Sequence, residues 1–84
     1  MSNWPDWWSW PLRFSDHLLL RMRQRQFNAT DLRMMMEDAA ELVPGGDPGR
    51  WVAVTHFHGD AWKIVLEPNF TQNTITVVTA FQVF

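Results

Sequence analysis

His17, Arg21 and Arg25 recur at intervals of four residues. On a helix that advances ~100° per residue they form a stripe only ~80° wide. An imidazole exchanges protons near neutral pH and can act as base or acid. A guanidinium stays charged and forks onto paired oxygens of a phosphate or carboxylate. The stripe therefore suits an anionic substrate and a proton transfer. Lys63 and Thr79, far along the chain, would add a cation and a hydroxyl if the fold brought them to it. Arg50 is a further cation suited to substrate binding.

A second pattern is Thr55-His56-Phe57-His58-Gly59-Asp60. It resembles the first part of the metallo-β-lactamase motif, H-x-H-x-D-H, but Ala61 stands where the last His belongs. That family's fold is also far larger than this chain. His56 and His58 would share one face of a strand. Zinc sites normally take at least three protein ligands, and no third is evident. No metal or other cofactor is expected. The chain has no Cys, hence no thiol nucleophile and no disulfide.

The stripe needs a helix to carry it. Ser15 can cap one running from Asp16 to about Gln26, with Asp16 favourably placed in the first turn. Leu18, Leu19 and Met22 make its apolar side, and the stripe borders that side. Phe27 ends the helix. Asn28 caps a second, with Asp31 in a capping-box position. Leu32, Met35, Met36 and Ala39 are its buried positions, and Met34 is an exposed contact. Pro44-Gly45-Gly46-Asp47-Pro48-Gly49 is a loop.

Strands follow at Trp51–His58, Ala61–Glu67 and Thr74–Val83, with Glu41–Val43 as a short fourth. Gly59-Asp60 reads as a two-residue type II′ turn. That register pairs His58 with Ala61, Phe57 with Trp62, and His56 with Lys63. Trp51, Ala53, Thr55 and Phe57 then share the helix-covered face with Trp62, Ile64 and Leu66. If the next turn adds no bulge, Thr79 opposes Trp62 and lies on the helix side with Ile75, Val77 and Phe81. The fold class is α+β: two N-terminal helices on one face of a three- to four-stranded antiparallel sheet.

Residues 1–12 place four Trp in seven positions between and beside two Pro, ahead of a single α+β domain over 13–84. Two readings stand. The segment straps over the domain's own core or sheet edge, or Trp7, Trp8 and Trp10 dock a partner, a homodimer included. On the second reading its deletion leaves a folded domain. Its first ten residues lack the basic run and apolar stretch of a secretory signal, and no segment has the ~20 apolar residues of a membrane span.

Hydrophobic residues are 46% of the 84, enough for one core. Net charge is −2, unevenly spread. Residues 13–33 hold five Arg against Asp16 and Asp31, whereas residues 34–84 hold Arg50 and Lys63 against six acids. A basic first helix on an acidic body can steer an anion to one face. On charge alone, an ordinary solvated helix face is the preferred reading.

The ordered set Phe14-Ser15-Asp16-His17, Arg21-Met22-Arg23-Gln24-Arg25, Asn28–Glu37, Gly49-Arg50 and Val77-Val78-Thr79 is similar to a small bacterial domain of unknown function. That domain opens with His, then Arg-Met, then Arg, and closes on a sheet ending in Val-Thr. It is placed with the barnase–EndoU–colicin–RelE-like (BECR) superfamily of ribonuclease toxins. The resemblance covers about residues 14–83. It implies metal-independent RNA cleavage in the cytoplasm, restrained by a cognate antitoxin or immunity protein. By the family pattern His17, Arg21 and Thr79 are catalytic, with Arg25, Arg50 and Lys63 available to bind RNA. The Trp-rich start and the acidic body depart from the pattern. Without the resemblance these residues read as ordinary helix and strand positions. The rival function is a non-enzymatic protein-binding module that uses Met34 and the Trp segment.

Overall fold

In a computed structural model, which describes residues 4–84, the first helix α1 spans Asp16–Arg25. The Ser15 hydroxyl accepts a hydrogen bond from the Leu18 N–H at 3.0 Å, satisfying one of the donors a helix start leaves free. Gln26 closes the helix in the left-handed region, at φ 57°. The second helix α2 spans Ala29–Glu37. The Asn28 side chain accepts from the Asp31 N–H, and the Asp31 carboxylate accepts from the Asn28 N–H, both at 2.9 Å. Leu32, Met35, Met36 and Ala39 are buried, and Met34 is 52% exposed, as the helical period requires. On α1 the apolar side is narrower than its period implies. Leu18 is buried and Met22 half-buried, but Leu19 is 45% exposed. The principal contact of α1 is with one strand, Thr74–Gln82, so only a thin strip of the helix is covered.

The strands are β1 (Leu12–Phe14), β2 (Glu41–Pro44), β3 (Trp51–Phe57), β4 (Asp60–Asn69) and β5 (Thr74–Gln82), in the order β1-β5-β4-β3-β2. The sheet is thus five-stranded and mixed, not an antiparallel sheet of three or four strands. The added strand is Leu12–Phe14, which pairs parallel to Ile75–Val77. Three residues after a proline are too few to show a strand period, and only the partner strand makes them one. Its Leu12 and Phe14 pack against the core, leaving Arg13 exposed on the other side.

The β3–β4 turn is His58-Gly59, both at positive φ (52° and 82°), in place of Gly59-Asp60. Two successive residues at positive φ define a type I′ turn, whose twist matches that of the flanking strands. Phe57 therefore pairs with Asp60, His56 with Ala61, and Thr55 with Trp62; Lys63 faces Val54 and not His56. Each partner moves by two residues, so the faces survive the correction. Ala53 and Thr55 are buried with Trp62, Ile64 and Leu66.

Between Val65 and Leu66 the β4–β5 register shifts: Leu66 pairs with Val77, but Val65 pairs with Thr79. Val78 is the extra residue of a bulge, which moves every later side chain of β5 to the opposite face. Ile75, Val77 and Ala80 are buried, and Phe81 is exposed. Thr79 therefore lies away from the helices and opposite Val65, not on the helix side opposite Trp62.

One core sits between the helices and the sheet. It includes Trp7, 7% exposed, from a short 3-10 turn at Asp6–Ser9. Trp7 lies 6.1 Å from Trp51, centroid to centroid. Trp8 and Trp10 are partly buried against the same core. The Arg33 guanidinium donates to the carbonyls of Trp8 (3.0 Å) and Trp10 (2.8 Å), tying the segment to α2. Trp7 is thus a core residue and not a free docking side chain. Of the two readings of this segment, the strap over the domain's own core holds for Trp7; the sequence leaves both open because an aromatic outside any periodic element carries no sign of which way it faces.

Candidate anion-binding site on the first helix

The cation stripe exists as a helix face. His17 and Arg25 are exposed and Arg21 is half-buried, at the border between the core strip and solvent. The Arg21 Nε is shielded from solvent and has no hydrogen-bond partner among the described residues. Arg23 is also exposed on α1. Among the described residues the ion pairs are those of Arg50, so Arg21, Arg23 and Arg25 face no carboxylate at salt-bridge distance. Leu20, 53% exposed, lies between them. Asp16, the acid of this helix, sits in the first turn, where it complements the helix dipole.

Ser15 anchors the start of this face. Besides capping α1, its hydroxyl donates to the Val78 carbonyl at 2.6 Å, and its N–H bonds the Val77 carbonyl at 3.3 Å. His17 follows Ser15 by two residues, and Thr79 follows Val78 by one. The backbone thus brings His17 and Thr79 to one corner, where β1 ends, α1 begins and β5 bulges. The Thr79 side chain itself points to the open face of the sheet, away from α1.

Lys63 shares the open face and pairs with Phe81, two residues beyond Thr79 on β5. Arg50 is not brought to this corner. It precedes β3, two strands from β5, and faces Asp47 at 3.4 Å and Glu67 at 4.0 Å. Asp47 stands three residues before it in the chain, whereas Glu67 becomes its neighbour only through the β3–β4 pairing. Arg13 and Arg23 were not singled out from the sequence. Their signal was the excess of arginine over acid in residues 13–33.

His56 and His58 do not form a pair on one strand face. His56 is exposed on β3, and His58 stands in the turn with its ring 4.0 Å from that of Phe57. Among the described residues no three His, Asp or Glu side chains converge. No described helix is long and apolar enough to cross a membrane.

The open face carries its own pattern. Val43, Val52, Val65 and Thr79 line up across four strands, and Glu41, Val54, Lys63 and Phe81 form the next row. It is an apolar band edged by charge, uncovered by either helix.

Fold and site define an α+β protein with its helices on one side of a five-stranded mixed sheet and an unneutralised cationic helix at the β5 side of that sheet. No family model, curated protein or solved structure matches the chain.

Proposed function

We propose that this chain is a metal-independent ribonuclease toxin of the BECR type, acting on cellular RNA in the cytoplasm and held in check by a cognate antitoxin or immunity protein. The observation that carries the reading is the α1 face: an exposed imidazole in one stripe with the two guanidiniums of Arg21 and Arg25, which have no carboxylate partner among the described residues. Such a face attracts a polyanion and can engage its phosphates bidentately. His17 accepts the proton of a 2′-OH as that oxygen attacks the adjacent phosphorus. The bond from phosphorus to the 5′-oxygen breaks, and the 5′-oxygen leaves with a proton from solvent. Arg21 and Arg25 balance the added charge on the phosphate. Lys63 extends the cationic track onto the open face.

The test is incubation of the purified protein with total RNA and transfer RNA. The expected products carry a 2′,3′-cyclic phosphate and a 5′-hydroxyl, with cleavage persisting in a chelator. His17→Ala should slow cleavage by roughly 10²–10⁴-fold. Arg21→Lys keeps the charge, loses the fork and should still be clearly impaired. RNA left intact by a protein that still arrests growth would refute the reading. The apolar band of the open face and the exposed Leu19, Leu20 and Met34 would then favour a module that acts by binding another protein.

A further inference from the structure

The sheet face that the helices leave bare is apolar where a solvated face is ordinarily polar. On β3 and β4 the positions that alternate with the buried Ala53, Thr55, Ile64 and Leu66 include Val52, Val54 and Val65. Val43 of β2 joins Val52 and Val65 in one row. The next row reads Glu41, Val54, Lys63 across β2, β3 and β4. Opposite charges thus stand one strand to either side of a central valine, about 10 Å apart. Among the described residues neither Glu41 nor Lys63 is in an ion pair.

Such a row is complementary to itself. A two-fold axis along β3, in the plane of contact, sets the β2 of each copy over the β4 of the other. Glu41 then faces Lys63 of the second copy, and Val43 faces its Val65, each pair occurring twice. Val52 and Val54 meet their own counterparts on the axis. An axis across the strands does the opposite, since it sets Glu41 on a valine or on its own counterpart. At the ends of the β3 axis His56 is exposed, and Arg50 is already held by Asp47 (3.4 Å) and Glu67 (4.0 Å) of its own chain, so no bare guanidinium meets its twin. Two sheets aligned in this way pack as a sandwich, crossing at about −30°. We propose that the open face pairs with a second copy of this chain to form a two-fold dimer.

Strands about 4.8 Å apart, rising about 3.3 Å per residue, give β2–β4 a footprint of roughly 300 Å². β5 overhangs the β2 edge of the other copy and carries the exposed Phe81 there. With side-chain relief the two copies together bury roughly 1,000 Å² of accessible surface, at the weak and reversible end for specific interfaces. The helices lie on the other side of the sheet, so the dimer leaves His17, Arg21 and Arg25 uncovered and withdraws only Lys63 from the proposed RNA track. The pairing does not rest on ribonuclease activity.

The experiment is analytical ultracentrifugation of the full chain at low salt, with circular dichroism to check that each variant keeps the fold. A reversible monomer–dimer equilibrium is expected, with a dissociation constant of roughly 10–100 μM. Glu41→Lys alone, or Lys63→Glu alone, turns two attractions across the interface into two repulsions and should weaken the dimer about tenfold. An equal mixture of these two single variants restores both opposite-charge pairs in the mixed dimer, so it should associate within about threefold of the wild type. The double variant should recover likewise. Val54→Lys sets two ammonium groups against each other on the axis and should abolish association. A wild-type chain that stays monomeric to about 1 mM would overturn the proposal and give the face to a different partner. Single variants that associate as tightly as the wild type, or a mixture of them that stays monomeric, would overturn it as well.

Discussion

Replacing Trp7 by alanine tests whether the Trp-rich start belongs to the domain. The side chain is 7% exposed and packs on Trp51 within the single core. Truncating a buried aromatic costs about 3–5 kcal/mol, through lost transfer energy and the cavity left behind. A domain of this length has a total stability of about 4–13 kcal/mol, so the change removes a large share of it. At roughly 4–8 °C per kcal/mol for a domain of this size, the melting temperature should fall by more than about 12 °C. Urea unfolding followed by circular dichroism is the assay, with the midpoint expected to drop at an unchanged slope. Deleting residues 1–11 should do more. It removes Trp7, both carbonyl acceptors of Arg33, and the Pro11 carbonyl that accepts from Ile75 at 2.9 Å. The truncated chain should not unfold cooperatively. A truncated chain with the full chain's midpoint would refute the reasoning and return the segment to the role of a detachable docking arm.

Thr55→Val should destabilise by about 1–3 kcal/mol, because the Thr55 hydroxyl donates to the Met35 carbonyl inside the core and valine leaves that acceptor unpaired. Thr55→Ser should recover most of that hydrogen bond, and equal midpoints for wild type and Thr55→Val would show that the bond contributes nothing. His58→Asn should stabilise by about 0.5 kcal/mol, since His58 holds φ 52° in a turn that favours Asn-Gly. A thermal melt decides it, and a lower melting temperature would indicate that the Phe57–His58 ring contact outweighs the backbone gain.

The local elements were legible because their causes are local. Ser15 as a cap, the Asn28–Asp31 capping box, the buried positions of α2 and the alternation of β3 and β4 all follow from a handful of neighbouring residues. The helical spacing of His17, Arg21 and Arg25 likewise places them on one face wherever α1 packs. Hairpin faces survived a misread turn because a two-residue shift of partners preserves side-chain parity. What failed depended on partners distant in sequence. Leu12–Phe14 became a strand because Ile75–Val77 was there to pair with it. Trp7 entered the core because the sheet and α2 left room for it. Thr79 turned to the open face because a bulge at Val78 reversed the alternation of β5, and no residue type announces a bulge. Arg50 met Glu67 only across β3 and β4. The sequence by itself determined both helices, the three long strands and the apolar faces of α2, β3 and β4, since hydrogen bonding and hydrophobic period act over a few residues. The tertiary structure alone decided which charges stay unpaired and which side chains share a corner, because those depend on contacts whose partners lie tens of residues apart.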